Sequence, residues 1–310
     1  MATGRRKHIK VTVGQAVHPG SFDQWLNPHN RLRLIEPERQ LDYFFKAVET
    51  ARNDGADFLL FPELFFPRQF IAKHLKAVCE ENHFVIISGL EYGPKYAKPA
   101  DRLTPLRNEV IVAIPPSLNR NGNDKSPKRK ECRLVSIPKI LAAEEEEQHL
   151  HRHGFTFRKG NKVYVFENTS LGNWAVLICS DFMILPVHLL LQSRIHTLFV
   201  LAYNKDMSGF ASIADTVQRL LMCNVVICNM GNYGSSLAYS PYRDRHKRNK
   251  LHVVGNDVEV AVTVKLPLDE IVRVQSGEIL KDDKGNQSFI KLPPDYGKVL
   301  KVKVVSKTWN

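Results

Sequence analysis

No stretch of this 310-residue chain approaches the roughly twenty uninterrupted apolar residues needed to cross a bilayer. The most apolar segment, residues 182–203, is broken by Pro186, His188, Gln192, Ser193, Arg194 and His196, so no membrane partner is expected. Cysteine is also scarce. Cys79, Cys132, Cys179, Cys223 and Cys228 are odd in number and irregular in spacing, which argues against a disulfide framework. No CxxC pair is present to mark a structural zinc site. The first ten residues hold Arg5, Arg6 and Lys7 with no apolar stretch behind them. They do not read as a secretory signal, and the expected location is cytoplasmic. Internal repeats and low-complexity tracts are missing, as are zinc-finger, helix-turn-helix and aromatic RNA-binding signatures.

What remains is ordinary globular material with one bias. Hydrophobic residues make up 43% and charged residues 25%, as in a typical folded domain. The length suffices for a substantial core, and residues 1–310 are read as a single domain. The bias is a formal charge of +12. Basic clusters at residues 5–7, 125–130 and 243–250 could attract a phosphate backbone. Lysines in solvated loops explain each cluster more simply, so nucleic acid is not the favoured partner. His149, His151 and His153 alternate, yet no carboxylate or cysteine at metal-ligand spacing follows them closely. That segment reads as solvated or as a pocket rim, and no metal is expected.

Apolar periodicity alternates between helix and strand, the pattern of stacked sheets with helices outside. Leu41, Phe44, Phe45 and Val48 place an amphipathic helix over residues 37–52, ending near Asp54-Gly55. Ile71, Leu75 and Val78 place another over 70–82, and further helices are expected at 186–196 and 213–223. Short apolar runs mark strands at 84–88, 111–114, 198–201 and 225–227, with an alternating strand at 258–264. Residues 119–130 read as a polar hairpin loop.

Three strand ends each deliver one chemically useful residue. Trp174-Ala-Val-Leu-Ile-Cys179 is a buried strand whose last residue is a thiol, followed by the turn Ser180-Asp181-Phe182. A thiol held there can meet a substrate, with the following amides aimed at the same spot, which suits acyl transfer. Asp57-Phe-Leu-Leu-Phe-Pro-Glu63 brings a carboxylate among aromatic residues and prolines, where desolvation raises its pKa toward the range of a general base. Cys132-Arg-Leu-Val-Ser-Ile-Pro-Lys139 ends in a cation able to stabilise an oxyanion or favour a thiolate.

In this order and spacing, Phe61-Pro-Glu-Leu64, Pro138-Lys139-Ile-Leu141 and Ile178-Cys-Ser-Asp181 resemble the glutamate, lysine and cysteine motifs of the nitrilase superfamily of carbon–nitrogen hydrolases. Val11-Thr-Val-Gly-Gln15, Leu201-Ala-Tyr-Asn204 and Val226-Ile-Cys-Asn229 are similar to its other strand ends, so landmarks run from about Val11 to Ser236. The resemblance implies a four-layer αββα sandwich of α/β (α+β) class, often paired into a dimer, with the tail at about residues 276–310 at a subunit interface. It implies a cofactor-independent thiol hydrolase in which Cys179 attacks, Glu63 is the base and Lys139 the cation. The substrate would be a small amide, less often a nitrile. Of the second glutamates some members carry, Glu147 in Glu144-Glu-Glu-Glu147 has one common spacing. Ser180 and Asn204 are the expected oxyanion or substrate-positioning residues. Ser180, where the family usually has an aromatic residue, and Phe182-Met-Ile-Leu-Pro186 depart from the pattern. They keep two alternatives open: N-acyl transfer by the same triad, or a regulatory module that binds nucleic acid or a larger assembly.

Overall fold

The computed structural model describes residues 6–19, 26–27, 32–93, 103–118, 131–167, 170–294 and 296–298. Its strands are β1 (His8–Gln15), β2 (Leu26–Asn27), β3 (Arg33–Leu34), β4 (Phe58–Phe66), β5 (Val85–Gly93), β6 (Thr104–Ile114), β7 (Arg133–Pro138) and β8 (Phe155–Phe157). They continue as β9 (Val165–Phe166), β10 (Trp174–Ile178), β11 (Thr197–Ala202), β12 (Asn224–Asn229), β13 (Ser236–Tyr239), β14 (Asn249–Val253) and β15 (Val260–Pro267). The helices are α1 (Pro37–Asp54), α2 (Lys76–Glu81), α3 (Glu144–Arg152), α4 (Leu185–Leu191), α5 (Met207–Leu220), α6 (Arg245–Arg248) and α7 (Asp269–Gln275).

Two sheets form the centre. The first runs β15-β1-β4-β5-β6-β7, with β8 also paired to β6, and the second runs β14-β13-β12-β11-β10-β9. The middle pairings β1–β4, β4–β5, β10–β11 and β11–β12 are parallel. Such strands are covered on both faces, which explains the near-continuous apolar runs of β4, β5, β11 and β12. Alternation then sorts the side chains of the first sheet. Val11, Val13, Phe58, Leu60, Val85 and Ile87 share a core with Trp174, Val176 and Phe199 of the second sheet. Leu59, Phe61 and Ile86 point the other way, onto Tyr43, Phe44, Ala47 and Val48 of α1. Phe58 meets Trp174 edge-on at 5.4 Å between ring centres, directly across the two sheets. Met207, Phe210, Ala214 and Val217 of α5 cover the second sheet, completing helix, sheet, sheet, helix.

The helix at 37–54 starts with Pro37 in its first turn and stops at Gly55, whose left-handed φ of 62° only glycine adopts without strain. Other boundaries differ from the sequence reading. The helical stretch near residue 70 opens with a 3-10 turn (Arg68–Phe70) and a π turn (Ile71–Leu75) before α2. Helix α5 begins six residues earlier than its apolar periodicity indicates, because the Asp206 side chain accepts from Gly209 N–H and caps it. Of the tail, Phe289 packs with Met222, Tyr242 and Ile271, and Tyr296 donates to the Leu221 carbonyl, both contacts within this same chain. Residues 299–310 and the basic loop 125–130 lie outside the described residues, as does Arg5.

Candidate active site

Glu63 sits where β4 stops being regular. Pro62 has no N–H for the ladder, the register with β5 shifts between Phe61 and Phe66, and Leu64 takes φ 60°. The sequence reading ended the strand at Pro62; the strand instead continues through this irregularity to Phe66. Gly89 of β5 makes the bulge possible. A Cβ there would stand 2.4 Å from the Pro62 carbonyl oxygen and 2.5 Å from Glu63 Cα, so any other residue collides with the backbone that carries the carboxylate.

Lys139 follows β7 and is itself 2% exposed. Its Nζ donates to Glu63 Oε1 at 2.8 Å and to Glu146 Oε2 at 2.6 Å. An ammonium has three donors, so one remains for a substrate. Asn108 Nδ2 donates to Glu63 Oε1 and Glu146 Oε1, each at 2.7 Å. Two carboxylate partners require the amide nitrogen, not the oxygen, on that side. The Tyr92 hydroxyl gives Glu146 Oε1 another hydrogen bond at 2.9 Å. The Tyr203 N–H donates to Glu63 Oε2 at 3.0 Å, while its carbonyl lies 4.0 Å from Cys179 Sγ.

Cys179 opens the 3-10 turn Cys179–Met183 with φ 45°, a left-handed conformation that costs energy for a non-glycine residue. Asp181 fastens this turn to the lysine loop: its carboxylate accepts from the N–H groups of Ile140 and Leu141 at 2.9–3.0 Å. All three ends of the set therefore converge on one cavity of about 420 Å³, lined by Glu63, Lys139, Glu146, Cys179, Tyr203 and Asn204 among others.

The electrostatics follow from burial. Desolvation raises the Glu63 carboxyl above its ordinary range, with Lys139 pulling it back and Glu146 pushing further up. Burial works against the charge on Lys139, but Glu146 and Glu63 overcome it and hold the ammonium well above the usual lysine value. Burial also pushes the Cys179 thiol up, Glu63 adds to this, and Lys139 opposes. Burial and Glu63 therefore oppose the thiolate, and Lys139 favours it.

Two expected positioning residues need correction. The glutamate beside Lys139 is Glu146, not Glu147. Residues 144–152 form a helix, and Glu146 faces inward while Glu147 is exposed. A spacing rule cannot replace the 100° step between neighbours on a helix. The Ser180 side chain does not line the cavity; its hydroxyl donates to the Leu141 carbonyl at 2.6 Å and serves the turn instead. Asn204 does line the cavity, with its side chain engaged by Asp206 N–H. Asn108 and Tyr92 escaped the sequence reading. A buried Asn at every-second-residue spacing from Leu106, Val110 and Val112 was the available signal.

No family model and no curated protein matches the chain. Solved structures do. An amidase from Nesterenkonia sp. AN1, a glutamate-to-leucine variant with the acetamide moiety of fluoroacetamide covalently added at its active-site cysteine, aligns with TM-score 0.59 at 15% identity. The alignment covers 86% of this chain and 94% of that one. A cysteine-to-alanine variant of the same amidase, described as from the nitrilase superfamily, aligns with TM-score 0.58 at 15% identity over 88% and 96% of the two chains. The same type of variant in complex with butyramide gives 0.58 at 16% identity over 86% and 94%. This chain has the nitrilase-superfamily fold. Within that fold, the Glu63, Lys139 and Cys179 strand ends and the Glu146-bearing helix meet at one cavity.

Proposed function

We propose that the protein is a cofactor-independent carbon–nitrogen hydrolase that cleaves small amides through a thioester on Cys179. The observation that carries this reading is the buried Glu63–Lys139–Glu146 cluster at the cavity that also receives the strained Cys179 turn. Such a cluster is expensive to bury, and a purely structural core gains nothing from opening it to a cavity. As the substrate carbonyl binds, the thiol proton passes to Glu63 and sulfur attacks the carbon. Lys139 and the amide following Cys179 stabilise the oxyanion. Collapse returns the proton to the nitrogen and expels ammonia or an amine. Water, deprotonated by Glu63, then hydrolyses the thioester and restores the thiol.

The similarity to amidases whose cysteine takes up amide-derived groups supports an amide over a nitrile substrate. The test combines ammonia release from a panel of small amides and nitriles with intact mass of the quenched protein. Turnover of amides with an acyl adduct mapped to Cys179, absent in Cys179→Ala, is the expected result. If amides give neither ammonia nor adduct in folded protein, the reading is wrong. Turnover with water as the sole acceptor separates hydrolysis from acyl transfer to an amine, because a transferase holds its acyl-enzyme until an amine is added.

Self-association belongs to the same proposal. Met183, Leu185, Leu189, Leu190 and Leu220 are 44–68% exposed and cluster on α4, α5 and the turn that starts at Cys179. Scattered exposed leucines are normal, but a contiguous patch of this kind marks a contact surface. A second copy of the chain is its proposed occupant.

A further inference from the structure

Cys79 and Cys132 are distant in sequence, yet their sulfurs lie 2.9 Å apart. Nothing in the proposed hydrolase chemistry uses them. Cys79 belongs to α2 and Cys132 immediately precedes β7, and two further contacts join the segments, with a third bracing the helix side. The Cys132 N–H donates to Glu80 Oε1 at 3.0 Å, Lys76 Nζ meets Glu131 Oε2 at 3.3 Å, and Lys76 pairs with Glu80 at 3.7 Å within the helix. The sulfurs need close by only about an ångström to reach bonding distance. By contrast, Cys223 and Cys228 are fully buried in and beside β12 and engage no other thiol among the described residues.

We infer that Cys79 and Cys132 form an oxidisable dithiol, a modification site separate from the cavity, that converts to a disulfide when the folded protein meets a hydroperoxide. The inference does not depend on the hydrolase reading. The two thiols play unequal parts. Cys79 is wholly buried and shares a sulfur–sulfur hydrogen bond with Cys132, which is 8% exposed and lies nearer to solvent. That hydrogen bond, with help from the Lys76 cation, lowers the Cys132 thiol against the opposing pull of burial, while Cys79 is pushed up. Cys132, the more accessible of the two, is the sulfur that meets the peroxide. Its thiolate displaces hydroxide from hydrogen peroxide and becomes a sulfenic acid. The Cys79 thiol then attacks that sulfur and expels its oxygen, and the protons leave with it. In sum two thiols and one peroxide give one disulfide and two waters. The bond would tie the helix that follows the Glu63 strand to the start of the strand that leads into Lys139.

The test uses the full chain carrying Cys179→Ala, so that oxidation of the cavity thiol does not intrude. Hydrogen peroxide is added to the folded protein, which is then denatured, alkylated and mapped without reduction. The expected product is one linkage joining the Cys79 and Cys132 peptides, reversed by dithiothreitol, formed at least about tenfold faster than any modification of Cys223 or Cys228. The crosslink closes a long loop and should raise Tm by roughly 5 °C or more. In Cys79→Ser the linkage should vanish and dimedone should trap a sulfenic acid on Cys132. Both cysteines recovered as free thiols, after a peroxide exposure that fully oxidises Cys179 in the unsubstituted protein, would overturn the proposal. So would a linkage that pairs either of them with another cysteine.

Discussion

Lys139 lies between two buried carboxylates, and this decides how its variants behave. Removing the ammonium leaves Glu63 and Glu146 facing each other without a cation, and losing one partner of a buried ion cluster costs about 3–5 kcal/mol. Lys139→Ala should therefore lower Tm by several degrees as well as abolish turnover. Glu63→Gln keeps shape and volume but sets an amide against the Tyr203 N–H or the Lys139 ammonium, a cost of about 1–3 kcal/mol. It should lose activity on the order of 10²-fold or more while remaining folded. Thermal melts beside turnover assays check this pair. A fully stable, inactive Lys139→Ala would show that the cluster is not the buried counter-ion system described above.

The pH behaviour has a defined sign. Glu63 must be ionised to act as base, and burial raises its pKa above the ordinary 4.5. The acid limb of kcat/KM should accordingly fall above pH 4.5, and Lys139, held above its usual value, should add no alkaline limb below about 10. Stability carries a second signature at Asp181. Burial raises this carboxyl from 3.8 to about 6, against the pull of the Ile140 and Leu141 amides. Between those values the folded state binds more protons than the unfolded one, so this group's contribution to stability declines as pH rises through the window and is flat above it. Asp181→Asn removes the decline. Measured by urea melts, the variant's deficit relative to wild type should be larger at pH 4 than at pH 6.5, by on the order of 1–3 kcal/mol. An equal deficit at both values would place Asp181 outside this account.

At the scale of elements, the site depends on backbones as much as on side chains. Gly89 has no chemical role, yet it lets β5 pass against the bulge that aims Glu63. Gly89→Ala must displace Pro62 or Glu63, since backbone atoms cannot swing aside as a long side chain would. A loss of activity of about tenfold or more is expected, with the Glu63→Gln and Gly89→Ala effects far from additive, because both act on one carboxylate. Additive losses in the double variant, measured as kcat/KM, would refute the coupling. Gly160 stands in the same relation to Lys139, with a Cβ position 2.6 Å from the Pro138 oxygen.

These dependencies also explain what was legible beforehand. The segments carrying Glu63, Lys139 and Cys179 were readable because a strand-forming stretch leads into one chemically useful residue in each, and the paired sheets followed from alternating strand and helix patterns. Glu146 was not separable from Glu147 because four consecutive glutamates give no periodic contrast; only the inward face of α3 distinguishes them. The reach of β4 past Pro62 was hidden for another reason. Proline and a left-handed Leu64 ordinarily end a strand, and here tertiary packing against Gly89 overrides that local signal. Similarly, the start of α5 lay in a polar segment whose cap, Asp206, acts through a hydrogen bond rather than through hydrophobicity.

At the scale of the whole molecule, the +12 charge and the apolar patch make opposite demands on ionic strength. Part of the charge is committed to the fold. In the cluster at 243–250, Arg248 donates to the carbonyls of Tyr242 and Arg243 and meets Asp215, and Lys250 lies 4.5 Å from the centre of the Tyr242 ring. The remaining basic side chains still make each copy strongly cationic, so two copies repel at low salt. Contact through Leu185, Leu189 and Leu190 would be apolar and would lose nothing to screening. The association constant should therefore rise as salt is raised from 20 to 200 mM, across which the Debye length falls from roughly 20 Å to under 10 Å. Nucleic-acid binding by the same charge would weaken over that range. Leu189→Glu with Leu190→Glu should yield a monomer with unchanged circular dichroism, because both side chains are more than half exposed in the isolated chain. Sedimentation velocity across the salt series measures both effects. A wild-type protein that stays monomeric at 100 μM in high salt, or a double variant that associates as the wild type does, would remove the patch as a self-association surface.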